Sequence, residues 1–432
     1  APEAPEPPTP APAEATPPGA EPDTSTNGEP AGEPSSPESL ETTLSRLPLE
    51  EIRRYVAVFN AVRSAYVEPV SDHELMQAAI RGLLWDLDPH SVYMERDDAE
   101  AFAEGASGAY GGVGLEIVPL PEGGMRVVAP FDGTPAERAG LRPGDVITAI
   151  DGKPVLAGDD SRNPLRGEPG TTVSVTVLRE QAPAPLELQM VREVIRITSV
   201  RSRMLEPGYG YVRLSQFQAD TAADFNKAVS SLDSGQGQRL RGLVIDLRSN
   251  PGGLLTSAVQ IADDLLESGT IVTTRGRLPI SDARFTATPG DVLDGAPVVV
   301  LVDAGSASAS EVLAGALRDN GRARVVGSRS FGKGSVQTVL PLDNGDSVKL
   351  TTARYYTPRG TSIQARGIEP DVLLKAQADS TTRLPRVSEA SLPGHLEADD
   401  ASDADGSDGE ALPGQGPIDA ALAELKRMAA GN

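Results

Sequence analysis

Beyond residue 200 the chain alternates two kinds of apolar run. Strand-like stretches at 242–247, 298–302 and 324–326 are separated by helical patterns at 254–266 and 309–317. Strands that are apolar on both faces need cover on both sides, so this alternation calls for a layered α/β domain, expected over 198–375. Ahead of it the runs shorten to 113–118, 125–128, 146–150 and 173–178, with Gly, Pro and Asp turns between them. That pattern reads as a small, mostly β domain over 98–197.

The flanks have a different character. Residues 1–45 carry nine acidic and no basic side chains among many prolines, and 376–416 carry nine acidic residues against Arg383 and Arg386. Too few apolar groups are present there to offset the entropy of ordering, so the expectation is a disordered leader at 1–45 and a disordered acidic linker at 376–416. Leu49, Ile52, Val56, Phe59 and Val62 recur at helical spacing. A second helix starts at Ser71 with Glu74 completing a capping box, and Met76, Ile80, Leu83 and Leu87 line it. This is the N-terminal helical region, 46–97, packed on the main domain or in an oligomer contact. Pro417 followed by Ile418, Leu422 and Leu425 predicts a short amphipathic helix over 417–432, docking on the parent chain or a partner.

The tails hold most of the net charge of −23, leaving a folded part with no field attractive to nucleic acid or anionic lipid. The longest apolar run, 297–302, is far too short to span a bilayer. Ala1 in place of methionine means that an upstream segment has been removed, by a signal peptidase or otherwise. With no cysteine, thiolate catalysis and cysteine metal sites are excluded.

Three histidines make a Ser-His-Asp triad hard to assemble. His73 lies in a first helical turn, His395 in the acidic linker, and His90 in the turn Asp-Pro-His-Ser at 88–91, where a hydrogen-bonding role is expected. Serines 306, 308 and 310 sit in small residues between a strand and a helix, where the dipole and the next N–H favour an attacking oxygen. Lys333, flanked by Gly332 and Gly334 beside Phe331, could be desolvated and so accept a serine proton. Gln337, four positions on, could hydrogen-bond the amine without adding charge. Gly252 or Gly253, in the Pro-Gly-Gly turn after the 242–247 strand, would supply half of an oxyanion hole, with the Ala309 amide as the other half. Residues 327–333 also match the first seven positions of a phosphate-binding P-loop. Gly334 stands where its Ser/Thr would be and a strand follows, so no nucleotide is expected.

Together, Ser-Ala-Ser-Ala-Ser-Glu at 306–311, Gly-Arg-Ala-Arg-Val-Val-Gly at 321–327, Ser-Phe-Gly-Lys-Gly-Ser-Val-Gln at 330–337 and Asp-Leu-Arg-Ser-Asn-Pro-Gly-Gly at 246–253 resemble the carboxyl-terminal processing peptidases, or tail-specific proteases, of CtpA/Prc type. The resemblance runs from about Leu49 through Asp371. It implies a serine endopeptidase with a layered α/β core of the ClpP/crotonase type, Ser308 as nucleophile, Lys333 as base, Gln337 assisting, and neither cofactor nor metal. It also implies that 98–197 is an inserted PDZ domain, because Tyr-Gly-Gly-Val-Gly-Leu at 110–115 and Ala-Gly-Leu-Arg-Pro-Gly-Asp-Val-Ile at 139–147 look like the permuted bacterial type. Gly112, Val113, Gly114 and Leu115 would hold a substrate's terminal carboxylate, and Arg166 would couple PDZ to core. Further expectations are periplasmic location, envelope protein substrates with unstructured C-termini, an adaptor protein, and a homo-oligomer.

Overall fold

The computed structural model describes residues 48–156, 164–180, 182–234, 239–375, 387–399 and 409–431. The expected leader at 1–45 lies outside the described residues. Two units divide the chain, 1–75 and 76–432. In the first, the helix Leu49–Ala65 buries none of its residues. At the start of the next helix, the Glu74 N–H donates to Ser71 Oγ and the Ser71 N–H to Glu74 Oε2, at 3.2 and 2.8 Å, the expected capping box.

The second unit centres on a six-stranded sheet ordered Val200–Glu206, Tyr209–Leu214, Gly242–Asp246, Val298–Val302, Ala323–Gly327 and Val372–Leu373. Only the first pair is antiparallel. Alternation along Val298–Val302 divides the core in two. Val298, Val300 and Val302 pack with Phe225, Ile261 and Leu313 on one face, under helices Thr221–Ser234, Leu255–Asp263 and Ala309–Asp319. Val299 and Leu301 pack with Ile418, Ala421 and Leu425 on the other. That second face is covered by the C-terminal helix Gly416–Ala430, docked on its own chain. The docking is close: a Cβ at Gly242 would stand 2.9 Å from Leu425 Cγ.

An antiparallel sheet completes the core, with Ser347–Tyr356 bordered by Val92–Met94, Thr270–Gly276 and Ser335–Pro341, and Ala283–Thr286 at the edge. The small β domain has its own sheet in the order Leu115–Pro119, Met125–Pro130, Val146–Ile150, Thr172–Leu178, Leu186–Val191, around Val127, Ile147, Val173, Val175 and Val177. The boundary expected between 97 and 98 falls inside the helix Arg96–Ser107, which the sequence reading does not anticipate. Among the described residues, no helix is long and apolar enough to cross a membrane.

The linker at 376–416 needs correction. Residues 387–399 and 409–416 are described and lie against the core, with Glu389 and Leu412 buried. Arg248 Nη1 donates to the carbonyls of Leu412 and Gly414 at 2.5 and 3.0 Å, and the Leu412 N–H reaches Asp303 Oδ2 at 3.2 Å. Average composition misses this because a few residues dock into polar positions that the core presents. The remainder, 376–386 and 400–408, lies outside the described residues.

Candidate active site

The buried strand Val298–Val302 runs through a tight turn into the helix Ala309–Asp319, whose N-cap is Ser308. Ser308 has φ 54° and ψ −114°, a strained conformation for a residue with a Cβ, and is 8% exposed. Local bonds hold it there. The Ala307 N–H donates to Asn250 O at 3.0 Å, and the Ser308 N–H to Glu311 Oε2 at 2.7 Å.

The three serines differ in what their hydroxyls do. Ser306 Oγ donates to Leu247 O at 2.8 Å while accepting from the Asp303 N–H, and Ser310 Oγ donates to Asn250 O at 2.9 Å. Both bind the 247–250 turn to the helix start. The Ser308 hydroxyl donates to none of the described residues, so its proton is the one left to give away.

Glu311, fully buried, is the hub. Its carboxylate accepts from the Ser308 N–H, from Ser330 Oγ at 2.6 Å, from the Gly332 N–H at 2.7 Å and from the Lys333 N–H at 2.9 Å. One side chain thereby ties the serine turn to the lysine loop. Burial pushes its pKa up to about 7, against the pull of those four donors. The sequence reading includes Glu311 in a motif but assigns it no role. Its signal is there nonetheless, in the Ser-x-x-Glu capping pattern of 308–311.

Lys333 Nζ donates to Gln337 Oε1 at 2.5 Å. Gln337 Nε2 in turn donates to Ser335 Oγ at 2.9 Å and Thr351 Oγ1 at 3.2 Å, and Thr351 Oγ1 donates to Asp88 Oδ1 at 3.0 Å. The 87–91 motif thus reaches the site through Asp88, whose carboxylate also accepts the N–H groups of His90 and Ser91. Burial, then the nearby Lys349, lowers Lys333 to about 8, while Glu389, Glu311 and Asp88 oppose the shift. Among the described residues no hydrogen bond joins Lys333 Nζ to Ser308 Oγ. A strand, Ser335–Pro341, follows the loop where a P-loop would need a helix.

Of the two turn glycines, Gly252 lies against the serine: a Cβ there would be 2.9 Å from Ser308 Cβ. Its N–H is already spent on Asn250 Oδ1 at 2.9 Å, which corrects its place among the expected oxyanion donors. Gly253, at φ 132°, passes so close to Phe217 that a Cβ would meet its carbonyl oxygen at 2.0 Å. The N–H groups of Gly253 and Ala309 have no acceptor among the described residues.

In the small domain, the Val113 carbonyl accepts the Ala136 N–H, and the Gly114 carbonyl accepts the Phe131 N–H and Thr134 Oγ1. The N–H groups of Val113 and Gly114 have no acceptor among the described residues. Gly112 ends the strand Ala109–Gly112, paired with Glu193, and Leu115 begins Leu115–Pro119, whose outer edge carries no further strand among the described residues. Arg166 lies over the Tyr110 ring at 4.6 Å and pairs with Glu104 of the helix Arg96–Ser107 at 2.5 Å. Among the described residues no group of three or more acidic or histidine side chains is placed to hold a metal.

Residues 208–374 match Peptidase family S41, 126–179 a PDZ domain, and 23–98 the activating protease CtpB N-terminal domain. A carboxy-terminal-processing protease of Bartonella bacilliformis is 38% identical over 91% of this chain and 92% of its own length. The carboxy-terminal processing protease CtpB of Bacillus subtilis is 36% identical over 73% of this chain, which spans 66% of that protein. Among solved structures, a photosystem II D1 C-terminal processing protease is 35% identical, covering 74% of this chain and 92% of its own, with a TM-score of 0.44.

Proposed function

The chain belongs to the carboxy-terminal-processing proteases of Peptidase family S41, serine-type enzymes with a PDZ domain, and on that premise we propose that Ser308 is the nucleophile and Lys333 its general base. The observation that carries the reading is Glu311, whose carboxylate binds the backbone N–H of both residues, with Ser308 alone of its three serines keeping an uncommitted hydroxyl.

Neutral Lys333 takes the Ser308 proton as Oγ attacks the scissile carbonyl carbon. With the lysine lowered to about 8, roughly a tenth of it is neutral at pH 7. The N–H groups of Gly253 and Ala309 receive the oxyanion, and Gly252 supplies the room beside Ser308. Collapse breaks the C–N bond, and the lysine ammonium gives its proton to the leaving amine. Water, deprotonated by Lys333, then hydrolyses the ester on Ser308. Gln337 Oε1 holds Nζ in the resting state, before substrate arrives.

Nζ must move from Gln337 toward Ser308 before the first step. In this reading a substrate C-terminus binds the PDZ loop at Gly112, Val113, Gly114 and Leu115, its strand adding along the edge of Leu115–Pro119, and shifts the population toward the aligned state. Arg166 couples that loop to the helix Arg96–Ser107 through Tyr110 and Glu104. Substrates are envelope proteins with unstructured tails, met in the periplasm, with an adaptor for some. A homo-oligomer forms through Leu49, Val56 and Val58, exposed on the first helix. Fractionation of cells and light scattering of the purified chain test location and assembly; a cytoplasmic monomer would refute both.

The central test is hydrolysis of an unfolded protein such as casein. Ser308→Ala and Lys333→Ala are each expected to lose about 10³-fold or more while staying folded. Retained activity in either would sink the dyad.

A further inference from the structure

One buried carboxylate–imidazole contact beside the site is built by a part of the chain beyond the S41 match, which ends at residue 374. Residues 387–399 cross back over the lysine loop and bring Glu389 in fully buried. His90 Nε2 stands 2.8 and 3.0 Å from its two carboxylate oxygens. Gln364 Nε2 donates to Glu389 Oε1 at 2.8 Å and to Leu396 O at 2.9 Å.

The same segment grips the backbone before Lys333 directly and the backbone after it through Gln364. The Glu389 N–H donates to Phe331 O at 3.0 Å, and Gln364, held by Glu389, accepts the Gly334 N–H at 3.0 Å. Its far end is anchored where Asp399 meets Arg354 and Tyr356 and where Arg354 donates to Glu397 O at 2.8 Å. A surface linker needs none of this.

We propose that Glu389 is a positioning residue for Lys333: the strap that carries it clamps the loop on either side of the lysine and sets a fixed negative charge beside it. The inference rests on the reading of Lys333 as general base.

Burial alone would push Glu389 up, but hydrogen bonds from His90 and Gln364, with the charges of His90 and Lys333, hold it below the usual carboxylate range, so it is ionised at neutral pH. Lys333 then lies between opposed influences. Burial and Lys349 favour the amine, while Glu389, Glu311 and Asp88 favour the ammonium. The strap therefore costs the base some of its neutral fraction and provides a fixed loop geometry in return. Removing the charge should make the lysine easier to deprotonate, and loosening the clamp should slow the reaction.

Two readouts on the full chain test this. One is kcat/KM against pH with a quenched peptide. The other is the pH midpoint for labelling Lys333 with an amine-reactive reagent, read by mass spectrometry in a Ser308→Ala background and so independent of turnover. Glu389→Gln is expected to move the acidic limb and the labelling midpoint together to lower pH by about half a unit to one unit. Glu389→Asp keeps the charge and should leave both near wild type while kcat falls. An unmoved labelling midpoint in folded Glu389→Gln, or the same midpoint shift in both variants, would overturn the proposal. Should Glu389→Gln not fold, Glu389→Ala removes the charge with a smaller side chain and must move the midpoint the same way. Failure of the dyad reading is distinct: the labelling midpoint moves and the rate profile does not.

Discussion

The two faces of the central sheet are covered by different means. One lies under helices that follow its strands directly in sequence, and one of these, Ala309–Asp319, begins at Ser308. The other lies under Gly416–Ala430, delivered from more than forty residues beyond the last core strand, Val372–Leu373. Strand-to-helix turns on the first face aim backbone N–H groups and a strained serine at one point. The second face offers apolar side chains and a close glycine contact. Chemistry is concentrated where the chain reverses sharply, and the appended helix seals the sheet behind it.

Substitutions can break or sharpen that contrast. Outside the proposed dyad, the largest effect is expected from Glu311→Gln, whose amide faces four donors with a single acceptor oxygen. Loss of two of those bonds should cut kcat by about 10² to 10³ by releasing the serine turn from the lysine loop. Activity within about threefold of wild type would mean that the hub is only structural.

A smaller but continuous effect is the pH dependence of the wild-type enzyme. As the proposed general base Lys333 must be neutral to act, and burial with Lys349 brings it to about 8. Since protonation disables a base, kcat/KM should climb about tenfold per unit below that value and flatten above it. A limb near the ordinary lysine range would assign the base elsewhere.

The smallest catalytic effect is expected on the sealed face. Leu425→Ala should cost about 2–5 kcal/mol of stability in a denaturant melt and leave kcat and the position of the acidic limb unchanged at temperatures where the protein is folded. A shifted limb would show that the C-terminal helix acts on the site and collapse the distinction between the faces.

How much of this was legible varies by residue. The strand–helix alternation was plain, because burial on both faces imposes continuous apolar runs such as 298–302. The strings around Ser308, Lys333 and Gln337 carried the family. The helix Arg96–Ser107 was not legible, since its only partly buried residues leave a weak apolar stripe. The residues 387–399 were misread for a related reason: their acidic neighbours dominate the composition, while the docking depends on Glu389 meeting His90, 299 positions away.

The sequence alone determined the layered core and the small β domain, and it singled out a serine and a lysine 25 positions on as a candidate pair. Local periodicity reports which side chains are buried, and short motifs report local backbone shape. Tertiary structure decided which hydroxyl of Ser306, Ser308 and Ser310 keeps its proton uncommitted, that the Gly252 N–H is already engaged and the Gly253 N–H is not, and that Glu311 and Glu389 bracket the lysine. Those outcomes depend on which donor meets which acceptor across distant segments, and only the full path of the chain settles that.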